Sequence, residues 1–259
     1  MGKVVLVTGA ARRLGRAIAL TLARAGWDVA VHAHRSLTDA DQTVSDLQAC
    51  GVRAARFVAD LDHEAECLAL LPAVCAHFGG VDAVVNNASL FAHDDLASFD
   101  FECLQSHLRV NVGAPVLLAR ALHQHLSERD ASGCVVNLID QKLWNLNPDH
   151  LSYTLSKAAL EAANTALAMA LAPRVRVCGV APGVTLPSGP MSAAQFAQAH
   201  AMTPLGRGSS ADDIAAAVAY LLNAQAVTGT TLLVDGGQHL QRQARDVLFL
   251  ADPTLTDRP

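Results

Sequence analysis

Val4-Val5-Leu6-Val7-Thr8-Gly9-Ala10-Ala11-Arg12-Arg13-Leu14-Gly15 is the stretch from which the fold follows. Its four leading apolar residues read as a short buried strand, and residues 14–25, after the glycine turn, have the apolar spacing of a helix. A turn of this kind aims backbone N–H groups and the positive end of a helix at one point, which suits a pyrophosphate. The usual fingerprint for such a turn has three glycines. Here Arg13 takes the middle place and adds reach and charge beside the phosphates. A glycine turn can also do no more than join a strand to a helix, so its weight comes from the rest of the chain.

Working outward, β-branched runs at Val4–Val7, 29–32, 53–58, 81–85, 134–138, 175–180 and Thr231–Val234 alternate with helical stretches. The helical stretches cover residues 14–25, 38–49, 64–77, 99–110, 115–128, 152–172 and 211–222. That alternation is the rhythm of a parallel sheet. About seven βα units follow one another too regularly to split, so the expected fold is α/β: one Rossmann-type, doubly wound domain over residues 1–259 with helices on both faces. Such sheets bind ligands beyond the carboxyl ends of their strands, where the Gly-, Asn-, Ser- and Pro-bearing loops fall. The loop over residues 185–204 is long enough to be a lid, and residues 238–259 read as a C-terminal tail.

Composition sets the outer limits. With 259 residues, half of them hydrophobic, the chain can bury a full core. A net charge of −5 without long runs of either sign gives no support to a nucleic-acid or membrane surface. Six scattered cysteines without a CxxC pair fit a reducing cytoplasm, and the run at Val4–Val7 is too brief for an export signal or a membrane span.

The end of the second strand is where a nicotinamide enzyme that prefers NAD holds an acidic residue against the ribose. This chain has His34-Arg35-Ser36, a guanidinium and a hydroxyl that can bind a 2′-phosphate, so NADPH is the expected cofactor. Asp60-Leu61 follows the third strand, where a carboxylate can accept from an adenine amino group. Asn87-Ala88-Ser89 follows the fourth, beside the nicotinamide end. Turn chemistry alone also favours these residue types, and position decides for the site.

Asp140, Tyr153 and Lys157 carry the expected chemistry. Tyr153 and Lys157 are four apart on a helix and share a face, so an ammonium near the phenol would favour phenolate and make Tyr153 a competent acid near neutral pH. Most enzymes with this layout have a serine thirteen residues before the tyrosine, where this chain has Asp140. An ionised carboxylate would repel the charge that builds on a ketone oxygen during reduction. It suits a substrate with N–H donors or a ring nitrogen awaiting a proton.

Taken together, Thr8–Gly15, Asn86-Asn87-Ala88, Asn111, Tyr153-Thr154-Leu155-Ser156-Lys157, Pro182-Gly183 and Val234-Asp235-Gly236-Gly237 resemble the short-chain dehydrogenase/reductase family over nearly the whole chain. Within that family the chain looks most like the pteridine reductases and the bacterial dihydromonapterin reductases. Those enzymes share the Arg-bearing loop, a His-Arg-Ser turn, an Asn-Asn-Ala-Ser-x-Phe segment and Asp in place of the serine. The resemblance implies a catalytic group of Asp140, Tyr153 and Lys157, with Asn111 supporting the lysine through a water. It implies cofactor contacts from Gly9, Arg12, Arg13, Leu14, Gly15, His34, Arg35, Ser36, Asp60, Leu61, Asn87, Ala88, Ser89, Tyr153, Lys157, Pro182, Gly183, Val184 and Thr185. Phe91 would stack a pterin against nicotinamide, while Arg13 and Ser89 bind polar edges of the pterin and the cofactor phosphates. A flat, nitrogen-rich ring is well held by stacking and paired donor–acceptor contacts. In relatives the helices over 115–126 and 155–171 pack between subunits, which implies a homodimer or homotetramer.

The expected activity is therefore NADPH-dependent reduction of a dihydropterin, and of the oxidised pterin as a second substrate, at a C=N bond. A carbonyl or imine reductase of the same family with another small substrate is the alternative, and a non-catalytic NADPH-binding sensor is a third. Residues 141–148 depart from the family pattern: Trp144 matches no family role, and Lys142 is close enough in sequence to pair with Asp140. His32 and His34 alternate on one strand without a third ligand, so no metal is expected. His123, His125, Arg242 and Arg245 read as solvated surface.

Overall fold

The alternation of strand and helix resolves into one sheet of seven parallel strands in a computed structural model that describes residues 2–187 and 191–251. The strands are β1 (Val4–Val7), β2 (Asp28–Ala33), β3 (Ala54–Val58), β4 (Ala83–Asn86), β5 (Gly133–Leu138), β6 (Val175–Pro182) and β7 (Thr231–Val234), in the order β3-β2-β1-β4-β5-β6-β7. Residues 188–190 of the expected lid and 252–259 of the expected tail lie outside the described residues. The strand order reverses between β1 and β4, each hydrogen-bonded to the other in register Val5↔Ala83, and that reversal opens a crevice at the strands' carboxyl ends.

Period-two alternation explains the two cores. Val5 and Val7 face one side of the sheet with Val29 and Val31, against Ile18 and Leu22 of α1 (Arg13–Arg24) and Ile214, Val218 and Leu221 of a late helix. Leu6, Val84 and Val135 face the other side, against Leu71 and Val74 of a third helix and Leu118 and Leu122 of a fifth. Strands buried on both faces are near-continuously apolar because neither side meets water. Each fully buried Leu or Ile contributes about 1.5–3 kcal/mol, so the doubled core is the dominant favourable term.

The remaining helices are α2 (Leu37–Ala49), α3 (Glu64–Phe78), α4 (Phe101–Leu108), α5 (Ala114–Glu128), α6 (Leu151–Leu171), α7 (Ala193–Ala201), α8 (Ala211–Asn223) and α9 (Val247–Ala251). The helix expected over 99–110 is shorter because Asp100 caps it, its carboxylate accepting from the Cys103 N–H at 2.7 Å. A single π-helical turn, Arg109–Gly113, follows and carries Asn111. The region expected as an unreadable loop contains α7, started by a reciprocal cap between Ser192 and Gln195. That Ser-x-x-Gln signal was present in the sequence. No described helix is long and apolar enough to cross a membrane.

Candidate active site

The glycine turn after β1 lines a cavity of about 790 Å³ at the switch point. Gly9, with φ of +63°, supplies a left-handed turn, and Gly15 lets the first turn of α1 pack against it. A Cβ at Gly15 would lie 2.2 Å from the Gly9 carbonyl oxygen and 2.6 Å from Asn87 Nδ2. Gly15→Ala should therefore cost about 1–3 kcal/mol of stability and weaken dinucleotide binding. Thermal melting and a fluorescence titration with NADPH check this, and unaltered binding would show that the loop does not cradle the phosphates.

Arg13 stands where the fingerprint has its middle glycine and keeps that glycine's backbone, with φ of +53°. A left-handed non-glycine residue costs about 1–2 kcal/mol, which the bond from its guanidinium to the Pro187 carbonyl at 2.8 Å helps offset. Two side chains brace the loop from behind. The Gly9 N–H donates to His32 Nδ1 at 3.1 Å while His32 Nε2 bonds the Ala59 carbonyl at 3.0 Å, and Asn87 Nδ2 donates to the Thr8 carbonyl at 2.8 Å. Both His32 ring nitrogens are thus engaged within the fold. Among the described residues no group of three or more His, Cys, Asp or Glu is placed to hold a metal ion.

All the residues expected at the cofactor from β1 to β4, Gly9 through Ser89, line this cavity. His34 pairs with Asp60 at 3.4 Å, and Arg35 is exposed at the cavity wall. Pro182, Gly183, Val184 and Thr185 line a second, adjoining cavity of about 280 Å³ instead. Arg13, Leu14, Asn87 and Ser89 border both spaces. The second cavity holds Phe91, Asp140, Tyr153 and Lys157.

Tyr153 donates its hydroxyl proton to Asp140 Oδ2 at 2.7 Å, and Asp140 Oδ1 accepts the Lys142 N–H at 2.8 Å. Burial raises the Asp140 carboxyl above the ordinary range. Burial, together with the carboxylate that takes its hydrogen bond, pushes the Tyr153 phenol far above its usual value. The expectation that Lys157 favours phenolate is corrected on this geometry. The ammonium donates to the Leu138 carbonyl at 2.7 Å and lies 5.6 Å from the Tyr153 ring centre, and burial lowers its own pKa to about 8. The phenol is thus tied by its hydrogen bond to the aspartate and not to the lysine.

Asn111 organises a loop. Its Oδ1 accepts from the Leu90 N–H at 2.8 Å and the Ser89 hydroxyl at 3.1 Å, while Nδ2 donates to the Leu90 carbonyl and to Ser156 Oγ. The loop so held presents Phe91, 46% exposed, whose ring lies edge-on to Tyr153 at 4.7 Å and stacks on His150 at 4.3 Å.

The pairing of Lys142 with Asp140 through side chains is not found. The buried Lys142 ammonium donates to the Asp149 carbonyl at 2.5 Å and lies 3.4 Å from Asp246. Arg245, expected on the solvated surface, pairs with the buried Asp149 carboxylate at 2.8 Å. His125 accepts the Val81 N–H at 3.1 Å and so is structural as well. Trp144 is half-exposed in a 3₁₀ turn (Gln141–Trp144) and does not line the second cavity. Gln238, Gln243, Asp246 and Val247 of the tail do, and nothing in the sequence pattern pointed to them.

A glycine-cradled cavity at the switch point, with the tyrosine and lysine of one helix beside it, is matched by what the chain resembles in other proteins. The family described as enoyl-(acyl carrier protein) reductase matches residues 9–239. The chain belongs to the short-chain dehydrogenase/reductase family. This short-chain oxidoreductase is 34% identical over 244 residues to an uncharacterized oxidoreductase of Methylorubrum extorquens, with 91% of this chain and 97% of the relative covered. It is 32% identical over 280 residues to pteridine reductase 1 of Leishmania tarentolae, covering 92% and 97%. The crystal structure of FolM alternative dihydrofolate reductase 1 from Brucella canis, complexed with NADP, superposes with a TM-score of 0.87 at 39% identity, covering 94% and 97%. As a short-chain oxidoreductase the chain uses a nicotinamide dinucleotide, and the cradle at Gly9 and Gly15, which a Cβ would fill, fits its pyrophosphate.

Proposed function

We propose that this protein is an NADPH-dependent reductase that delivers hydride to a C=N bond of a pterin, taking a dihydropterin, and the oxidised pterin as well, to the tetrahydro form. The observation that carries the reading is the Asp140–Tyr153 hydrogen bond at 2.7 Å inside a cavity walled by an exposed aromatic ring. A carboxyl group there disfavours a developing ketone oxyanion and suits a ring nitrogen that must be protonated. The likenesses to a pteridine reductase and to a FolM dihydrofolate reductase support the same substrate class.

When bound, NADPH supplies the hydride. Asp140, Tyr153, Lys157 and Asn111 form the proposed catalytic group: Tyr153 and Asp140 hold a proton between Oη and Oδ2 and release it to the substrate nitrogen. Lys157 carries compensating positive charge behind the ring. Asn111 sets the loop that carries Ser89 and Phe91, so that Phe91 stacks the pterin while Arg13 and Ser89 bind its polar edge. Arg13 and Ser89 border both cavities, which supports contacts to cofactor and substrate together.

NADPH is preferred to NADH because Arg35, beside Ser36, is exposed on the cavity wall, while Asp60 on the same wall is drawn to His34 at 3.4 Å and to His63 at 3.3 Å. Arg35→Asp should raise KM for NADPH by about 10–100-fold, the loss of a charge-assisted bond to the 2′-phosphate, with far less effect on NADH. Equal effects on the two cofactors would refute the assignment. The six cysteines, all free, support a reducing cytoplasm. Leu155 and Met169, exposed on α6, support a homodimer or homotetramer.

The test of the reading is NADPH oxidation by the purified protein with dihydrobiopterin, dihydromonapterin and dihydrofolate beside a panel of simple ketones. Turnover of pterins alone supports it. Turnover of ketones alone makes the protein a carbonyl reductase and leaves Asp140 with another task.

A further inference from the structure

The described part of the tail, residues 238–251, whose role the sequence left open, lines the second cavity through Gln238, Gln243, Asp246 and Val247. A 3₁₀ turn at Gln238–Leu240 is followed by an irregular stretch fastened at Gln241, Gln243, Arg245 and Asp246. Asn145 Nδ2 donates to the Gln241 carbonyl, the Gln243 N–H donates to Asn145 Oδ1 at 3.3 Å, and Gln238 Nε2 donates to Gln243 Oε1 at 3.2 Å. The Arg245–Asp149 ion pair and the Asp246 N–H, which donates to Asp149 Oδ2 at 2.6 Å, fix the next two residues. Beyond them Phe249 stacks on His150, itself stacked on Phe91, so the tail and the aromatic wall of the cavity belong to one packed unit.

At the centre of this fastening is a lysine that the chemistry above does not use. The Lys142 side chain is 5% exposed, and a buried ammonium is retained only where acceptors surround it. Its acceptors are the Asp149 carbonyl and the Asp246 carboxylate. Asp246 therefore holds negative charge at the cavity wall, and that charge is felt by its neighbours: it adds to the burial that raises both Asp140 and Tyr153.

We propose that Asp246 is a specificity-determining residue, a second carboxylate placed in the substrate cavity by the tail and held by Lys142, which selects substrates bearing an amino or ring N–H donor besides the one Asp140 reads. A plain ketone offers no donor to either carboxylate, so it gains none of the charge-assisted hydrogen bonds that a ring bearing amino or N–H groups makes with them. The inference rests on the proposed reduction of a nitrogen heterocycle, and it deepens that reading by naming the residue that reads the rest of the ring.

The experiment compares wild type with Asp246→Asn and with the double variant Lys142→Met/Asp246→Asn, which removes both charges and leaves no unpaired buried cation. Each is assayed with dihydrobiopterin and with its 2-dimethylamino analogue, which lacks the exocyclic donors, and each is titrated with 2,4-diaminopyrimidine in the presence of NADP. The expected result is a KM for dihydrobiopterin raised by about 10–100-fold in both variants, as for a lost hydrogen bond to a charged group, with a much smaller change in kcat and no penalty for the dimethylamino analogue beyond that of wild type. Reduction of dihydrobiopterin with an unchanged KM in both folded variants overturns the role of Asp246 and leaves the proposed function standing. Failure of wild type to reduce any pterin, with tight diaminopyrimidine binding that Asp246→Asn abolishes, overturns the function and keeps the carboxylate as a donor-selecting residue. Absence of both turnover and binding in wild type overturns the two together.

Discussion

Tyr153→Phe should lower kcat for a dihydropterin by about 10²–10⁴-fold, the range lost when a positioned general acid is removed. The hydroxyl is the only part taken away: Tyr153 is 7% exposed and its ring lies edge-on to Phe91 at 4.7 Å, a packing that a phenylalanine ring can keep. KM for NADPH should stay near the wild-type value because Tyr153 does not border the larger cavity. Steady-state kinetics with a separate NADPH titration makes the comparison. A variant that keeps its kcat would remove Tyr153 from the chemistry, whereas one that loses NADPH binding would assign it to the cofactor.

The second large effect belongs to Asp140, and it separates activity from stability. Asp140→Ala should cost about 10²-fold or more in pterin turnover, and Asp140→Ser should show the same loss with a gain towards ketones, because a hydroxyl can donate to a carbonyl oxygen. The stability effect has the opposite sign. Burial raises the folded-state pKa of Asp140 above its unfolded value, so folding favours the protonated carboxyl. The native state loses stability as pH rises from the usual carboxylate range through that raised value. Asp140→Asn keeps an oxygen to accept the Lys142 N–H and cannot ionise, so at neutral pH its Tm should equal or exceed that of wild type while its activity collapses. Melting curves across pH decide the matter: a variant less stable than wild type at neutral pH would make Asp140 a structural residue.

How far these sites were legible in the sequence follows from the range of the interactions involved. The glycine turn, the helix after it and the four-residue spacing of Tyr153 and Lys157 are local features, and local sequence states them directly. Even there the balance of charges needed the fold. The distance from Tyr153 to Lys157 along the helix implied a cation beside the phenol, but only the packed structure shows the Lys157 ammonium donating to Leu138 and the phenol donating to Asp140. The helix α7 was missed although its Ser192-x-x-Gln195 start is written in the chain, because its nine residues lack a clear apolar stripe.

By itself the sequence determined the seven strands, the two-faced burial, the glycine turn after the first strand and the presence of Asp140 thirteen residues before Tyr153, because each depends on periodicity or on residues close along the chain. Arg13 was legible as a charge, but its glycine-like backbone, with φ of +53°, was not, since no local residue pattern marks it. The tertiary structure alone decided the partners of Lys142, Asp149 and Arg245 and brought Asp246 to the wall of the second cavity. Lys142 and Asp246 are 104 positions apart, and a hydrogen bond or ion pair at that separation leaves no period in the sequence. Such pairs form only after the sheet has fixed where the loop and the tail can meet, and so the wall of the cavity, unlike its floor, is a property of the folded chain.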